Sequence, residues 1–133
     1  MSHISKVKTQ LRSRDIIEKV LKKMGMNVEK DCTLSLPYAY GSEKSMKVDL
    51  GFGKKSSSKS LGVRKQQDGT FEVVGDYYMT GIHENSFVGD LTQSYGEEQV
   101  KTTFETNPDL LAFNLSKREV DANGDIILTY EAW

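Results

Sequence analysis

The chain has 133 residues, 37% hydrophobic and 28% charged, with a formal net charge of −1. That composition excludes a disordered chain, and no apolar run approaches the roughly 18 residues of a membrane-spanning helix. The near-zero total hides a polarised sequence: residues 1–66 hold 15 Lys and Arg against 6 Asp and Glu, a net of +9, while residues 67–133 hold 3 against 13, a net of −10.

Ser5, Val7, Thr9 and Leu11 alternate with Lys6, Lys8 and Gln10, which predicts a short first strand. Ser13 is placed to cap a helix whose Ile16, Ile17, Val20, Leu21 and Met24 share one face, and Gly25 stops it. Glu18 and Lys22 pair across one turn of its exposed side. A second strand begins near Met26 and Val28 and resumes through Cys32, Leu34 and Leu36. The segment from Pro37 to Ser45 reads as a turn.

Met46, Val48, Leu50 and Phe52 then face one way, with Lys47 and Asp49 facing the other. A basic, serine-rich loop runs from Gly53 to Ser60. Leu61 and Val63 start a strand, Asp68-Gly69 signals a hairpin, and Phe71, Val73 and Val74 return towards Asp76, Tyr77 and Tyr78. Asn85 or Ser86 opens a second helix carrying Phe87, Val88, Leu91, Tyr95, Val100 and Phe104, with Gly96 as a break and Pro108 beyond its end. Leu111, Phe113 and Leu115 form a strand, Asn123-Gly124 turns it, and Ile126, Ile127, Leu128 and Tyr130 return to Trp133.

The predicted order is β-α-β-β-β-β-α-β-β. Strands joined by hairpins argue for a mainly antiparallel sheet with two helices on one face, a two-layer α+β fold forming a single domain over residues 1–133.

The charge asymmetry points to an electrostatic partner. Lys54, Lys55, Lys59, Arg64 and Lys65 form a basic set with no acid among residues 50–67, and Lys6 and Lys8 form a second, extended by Arg12 and Arg14. If the first strand lies beside this region, the two make one positive face for an acidic protein surface or for phosphates. The first reading is a protein-binding module. The alternative is a nucleic-acid or nucleotide-phosphate binder, although only Phe52 interleaves the cluster and a base-stacking platform has no support. Because each molecule carries both signs, head-to-tail self-association is a further expectation.

Gly51-Phe52-Gly53-Lys54-Lys55-Ser56 is a poor phosphate loop, since Lys55 sits where the hydroxyl belongs and a strand follows. Glu84, Asp90, Glu97, Glu98, Glu105 and Asp109 read as the solvated face of the second helix rather than a metal site. Two histidines, His3 and His83, and one cysteine do not make a zinc site, so no metal and no cofactor is expected. Cys32 cannot form an internal disulfide, suits a reducing compartment, and beside Asp31 reads as a passive strand cysteine. Asp76, His83 and Glu84 would make acid–base chemistry only by converging in a pocket; no catalytic constellation is otherwise recognisable, and the chain is read as a non-enzyme. Tyr77 and Tyr78 point to opposite faces, so one is core and the other exposed; with Tyr38, Tyr40 and Trp133 they are candidate docking aromatics. No signal peptide opens the chain, which places it in the compartment where it is made, the cytoplasm.

A wider pattern runs through the chain. It includes Ser2-His3, Lys8-Thr9, Leu21 with Gly25, Leu61-Gly62-Val63-Arg64-Lys65, Asp68-Gly69 and Phe71-Glu72-Val73-Val74. It continues with Asp76-Tyr77-Tyr78, Leu91-Thr92-Gln93-Ser94-Tyr95 with Val100, and Gly124-Asp125-Ile126 with Trp133. In order and spacing this set resembles the hypothetical chloroplast reading frame thirty-five family of cyanobacteria, red-lineage plastids and other bacteria. The resemblance implies an accessory or adaptor role, because relatives stand near genes for a MoxR-type ATPase and a ferredoxin-like protein. It implies a MoxR-type ATPase as protein partner, and the plastid stroma as location for a plastid-encoded copy. It transfers no catalytic residue. Family members often carry paired tryptophans where this chain has Tyr77-Tyr78, and its basic loop is longer.

Overall fold

The computed structural model describes residues 4–36, 44–54, 59–78 and 80–132. Along them run β1 (Ser5–Lys8), α1 (Arg14–Lys23), β2 (Asn27–Ser35), β3 (Ser45–Gly53), β4 (Leu61–Lys65), β5 (Phe71–Gly75), α2 (Glu84–Thr106), β6 (Phe113–Val120) and β7 (Ile126–Ala132), with a short 3-10 turn over Pro108–Leu110. The order is the expected one, and every strand pair is antiparallel. The strands fall into two sheets, and the chain divides into two compact units, residues 1–92 and 93–133.

In the first unit the sheet order is β1-β5-β4-β3-β2. Strands β2 to β5 form a meander, β1 adds to the β5 edge, and α1 carries the chain from one edge to the other. Helix α1 is delimited by local chemistry. Ser13 Oγ accepts from Ile16 N–H at 3.2 Å, filling one of the orphan donors of the first turn. At its end Gly25 takes φ 86°, with Gly25 N–H on Lys22 O and Met26 N–H on Leu21 O, both at 3.0 Å, a Schellman closure. Ile17, Val20 and Leu21 are buried, and the helix packs over β2 and β3. The helix-side core holds Leu50, Phe52, Leu61, Val63 and Val73, all at most 1% exposed, and Phe87 at the start of α2 stacks on Phe52 with centroids 5.1 Å apart.

A second apolar cluster joins Leu34, Leu36, Met46, Val48 and Val74, with Ile4 and Cys32 packed against it. Val74 and Val73 alternate along β5, so the sheet is buried on both faces, and all five β5 residues are buried. The second cover is the far end of the β2–β3 ribbon. At Asp31 the backbone takes φ 49°; beyond it Ser35 N–H reaches Lys59 O at 3.0 Å, and Cys32, Leu34 and Val48 lie over Gly51 and Gly62.

Several boundaries differ from expectation. The first strand ends at Lys8, although Thr9 N–H to Phe71 O and Phe71 N–H to Leu11 O prolong the pairing irregularly. Strand β2 is continuous, because the kink at Asp31 keeps Lys30↔Leu50 and Cys32↔Val48 in one register. Strand β5 stops at Gly75, where φ 130° and the close Ser60 carbonyl turn the chain out before Asp76. Helix α2 opens at Glu84 and runs unbroken through Gly96, whose cost of about 1 kcal/mol a 23-residue helix absorbs.

The second unit holds the rest of α2 and the β6–β7 hairpin. Phe104 stacks on Tyr130 (centroids 3.6 Å, 7° between planes) and meets Phe113 edge-on at 6.0 Å. Arg118 Nε lies 2.6 Å from Glu97 Oε2, and Gln93 Nε2 donates to Gly124 O at 2.5 Å. Asp121 Oδ1 organises the hairpin turn by accepting from Asn123 and Asp125 N–H, both at 2.9 Å, with Gly124 at φ 84°. A bulge separates Leu115 from Lys117.

Candidate functional site

Directly paired residues of an antiparallel ladder share a face, and so do residues two apart along a strand. Lys8, Glu72 and Arg64 pair in sequence across β1, β5 and β4, and the adjacent row runs Lys6, Val74, Gly62, Gly51, Glu29. Lys6, Lys8 and Arg64 therefore stand on one sheet face, the one that the β2–β3 ribbon covers over Val74, Gly62 and Gly51, so the exposed cations lie along its β1 margin. Lys59 joins them, because its Cδ would lie 3.4 Å from a Cβ at Gly51 on that face. Strand pairing thus brings together residues up to 58 apart in sequence.

Glu72 sits inside this set, 8% exposed. Arg64 Nη2 donates to its Oε1 at 2.6 Å, Arg64 Nε to the same oxygen at 3.0 Å, and Gln66 Nε2 to Oε2 at 3.0 Å. The buried carboxylate is satisfied, and it fixes Arg64 while consuming part of its charge. The positive character of the face rests on Lys6 and Lys8, both exposed, and Lys59 at the margin.

The other basic residues fall elsewhere. Lys65 follows Arg64 and so points to the opposite face; its N–H donates to Asp49 Oδ2 at 2.7 Å. Lys54 lies at the far end of β3, where its ammonium donates to Gly81 O at 2.9 Å. Lys55 is outside the described residues.

Tyr77 is half-buried and Tyr78 is 48% exposed, one turned in and one out. The hydroxyl of Tyr77 is enclosed with no hydrogen-bond partner among the described residues; burial, and then the Glu84 charge, push its pKa up. Asp76 is buried and accepts from Tyr78 N–H at 2.9 Å, while its own N–H donates to Ser60 O. Glu84 accepts from the Ser5 hydroxyl, and His83 is exposed. Tyr38, Tyr40, Trp133 and His3 lie outside the described residues.

Two features correct the expectation of a solvated acidic helix face. Glu98 is buried at 4% exposure. Glu97 is engaged twice, by Arg118 and by Lys101 Nζ at 3.0 Å. Hydrogen bonding from Arg118, followed by that from Lys101, overrides burial and lowers its pKa to about 2.

Cys32 is half-buried, and its thiol pKa is raised, first by burial and then by Glu29. It borders an open depression of about 400 Å³ lined by Asp31, Thr33, Lys47, Val48 and Asp49. Asp31 is engaged by Arg14 at 3.0 Å and Asp49 by the Lys65 N–H. No group of three or more His, Cys, Asp or Glu residues able to hold a metal occurs among the described residues.

Sequence reasoning missed the glycines Gly51 and Gly62, which let side chains close over the sheet. Glycine inside a strand is the signal that could have flagged them. It also missed the exposure of apolar residues in the second unit: Val100, Leu111, Phe113, Leu115, Val120 and Ile127 are each 37–59% exposed.

No helix among the described residues is long and apolar enough to cross a membrane. A family model described as "Protein of unknown function (DUF1257)" matches residues 20–129. No curated protein and no solved structure matches the chain.

Proposed function

The chain belongs to the DUF1257 family, and on that premise we propose that it is a small non-enzymatic accessory or adaptor module that binds an acidic protein partner through its basic sheet face. The observation that carries this reading is the shared face of Lys6, Lys8 and Arg64, with Lys59 at its margin. The lysines supply charge and Arg64 is held rigid by Glu72. A rigid strand scaffold bearing exposed cations steers an acidic surface towards it and fixes orientation. A MoxR-type ATPase is the partner class implied by the likeness to the chloroplast reading frame family. The place of action is the cytoplasm, or the stroma for a plastid-encoded copy.

The test is affinity purification of the tagged chain from a native lysate at low and moderate salt, reading protein and nucleic acid together. A stoichiometric protein partner is expected, weakening as salt rises and lost in the Lys6→Glu, Lys8→Glu variant. Lys65→Glu, on the opposite face, retains it. Partner recovery unchanged by the Lys6 and Lys8 reversals sinks the reading. Recovery of nucleic acid without a protein gives the face to phosphate binding instead.

A further inference from the structure

The second unit carries an apolar surface that its own elements leave open. Of the large hydrophobic residues that are exposed among the described ones, all but Tyr78 lie in residues 93–133. Register sorts them. Phe113 pairs with Ala132 and Leu115 with Tyr130; beyond the bulge Arg118 pairs with Leu128 and Val120 with Ile126. Tyr130 stacks on Phe104 and Arg118 reaches Glu97, so this hairpin face looks towards α2. Phe113 still stands 37% exposed, Leu115 40% and Val120 57%. Val100, one turn before Phe104 on the same side of α2, is 40% exposed, and Leu111 beside the hairpin entrance 59%. Ile127 pairs with Glu119 on the opposite face. A lone two-stranded sheet is marginal, and one helix does not finish covering it.

Charge says what would cover the remainder. Residues 93–133 hold three basic residues against eight acidic ones, a net of −5. All three bases are consumed within the unit: Lys101 and Arg118 on Glu97, Lys117 on Glu119 at 3.3 Å. Glu105, Asp109 and Asp125 have no ion pair among the described residues and are exposed, whereas Glu131, also exposed, pairs with Asn114 on the opposite hairpin face. Two copies of such a unit repel, so a twofold pairing through this surface is disfavoured.

We propose that the open face formed by Val100, Leu111, Phe113, Leu115 and Val120 is a docking site for a basic amphipathic helix of a protein partner. The occupant is a helix because the unfilled area is a sheet face beside a helix, which a further helix covers, whereas an added strand would use the hairpin's edge. Its apolar stripe fills the face, and its lysines and arginines meet the acidic rim. This surface lies in residues 93–133 and is opposite in sign to the basic sheet face of the first unit, so the two call for partners of opposite charge.

The test uses the full chain, isotope-labelled, titrated with a designed amphipathic leucine–lysine helix. A scrambled peptide of the same composition and a leucine–glutamate counterpart serve as controls. Amide shifts concentrated on residues 100–120 are expected, with the scrambled peptide binding about tenfold more weakly or worse. Leu115→Ser with Val120→Ser should weaken binding about tenfold. Both side chains are exposed, so the fold is retained, which the amide spectrum verifies. Ile127→Ser and the Lys6→Glu, Lys8→Glu variant should leave binding unchanged. Equal binding of the scrambled or leucine–glutamate peptide overturns the proposal. So does protection of these residues in the free chain, or a concentration-dependent dimer abolished by Leu115→Ser.

Discussion

Gly51 and Gly62 face each other across β3 and β4, and side chains of the returning ribbon close over both. A Cβ at Gly51 would fall inside the contact distance of Cys32 Sγ, and one at Gly62 would lie 2.7 Å from Leu50 O and 2.9 Å from Val48 Cγ2. The pair makes a flat floor in the sheet. Onto it settle Cys32, Leu34 and Val48, and the same arrangement leaves the thiol half-buried. Cys32 is thus part of the packing, which agrees with its raised pKa.

Gly62→Ala and Gly51→Ala are each expected to destabilise the fold by about 1–3 kcal/mol, the usual cost of overpacking a filled site. The two sites differ in what can yield. At Gly51 the obstacle is a side chain, so Cys32→Ala should recover part of the loss in the double variant. At Gly62 the first obstacle is the Leu50 carbonyl, which cannot move aside. Denaturant midpoints of the four variants measure this, and a Gly51→Ala loss untouched by Cys32→Ala would refute the contact.

Asp31 holds φ 49° inside a strand, a left-handed conformation that non-glycine residues adopt at a cost of roughly 1 kcal/mol. Its ion pair with Arg14 is exposed and contributes little. Asp31→Gly should therefore stabilise the protein by about 0.5–1 kcal/mol, and Asp31→Val should destabilise it by more than that. Thermal melts of the two variants decide it. A destabilised glycine variant would show that the ion pair outweighs the strain.

What was legible in the sequence was local. Ser13 and Gly25 delimit α1 because caps are made by neighbours in the chain, and Asp68-Gly69 and Asn123-Gly124 turn hairpins for the same reason. The kink at Asp31 was legible only as a break in the alternation between Val28 and Cys32; the left-handed backbone that causes it was not. Nor was the burial of Glu98, whose helical position alone assigns it to an acidic exposed set. The candidate face lay between these cases. Lys6 and Lys8 were visible as a cluster, but their placement beside Arg64 depends on β1 joining the β5 edge, a long-range pairing. Gly25, a helix stop, could be read at once; Gly51 and Gly62 become meaningful only when Val48 and Cys32 are seen above them.

Glu97 predicts an acid dependence. Its folded pKa is lowered from the ordinary 4.5 to about 2, chiefly by Arg118. A lowered folded pKa contributes stability that is present above pH 4.5 and lost as the pH falls towards 2. Glu97→Gln should thus be less stable than the parent at neutral pH, with the difference closing across that window. Paired denaturation curves at several pH values measure it, and a gap that stays constant would remove Glu97 as the source.

Tyr77 predicts the opposite sign at the alkaline end. Its hydroxyl is enclosed without a hydrogen-bond partner among the described residues, so removing it leaves no other group stranded. Burying an unpaired hydroxyl costs about 1–3 kcal/mol, so Tyr77→Phe should be neutral or stabilising at pH 7 rather than destabilising. The folded pKa is raised above the ordinary 10.0, by burial first and the Glu84 charge second. A phenol that ionises more readily in the unfolded chain draws the equilibrium towards unfolding as pH rises past 10.0. The parent should therefore lose stability there through Tyr77, and the phenylalanine variant should be spared that part of the loss. Urea midpoints at neutral and alkaline pH, with tyrosinate absorbance recorded alongside, give both readings. A Tyr77→Phe variant weaker than the parent at pH 7 would mean that the hydroxyl has a partner after all.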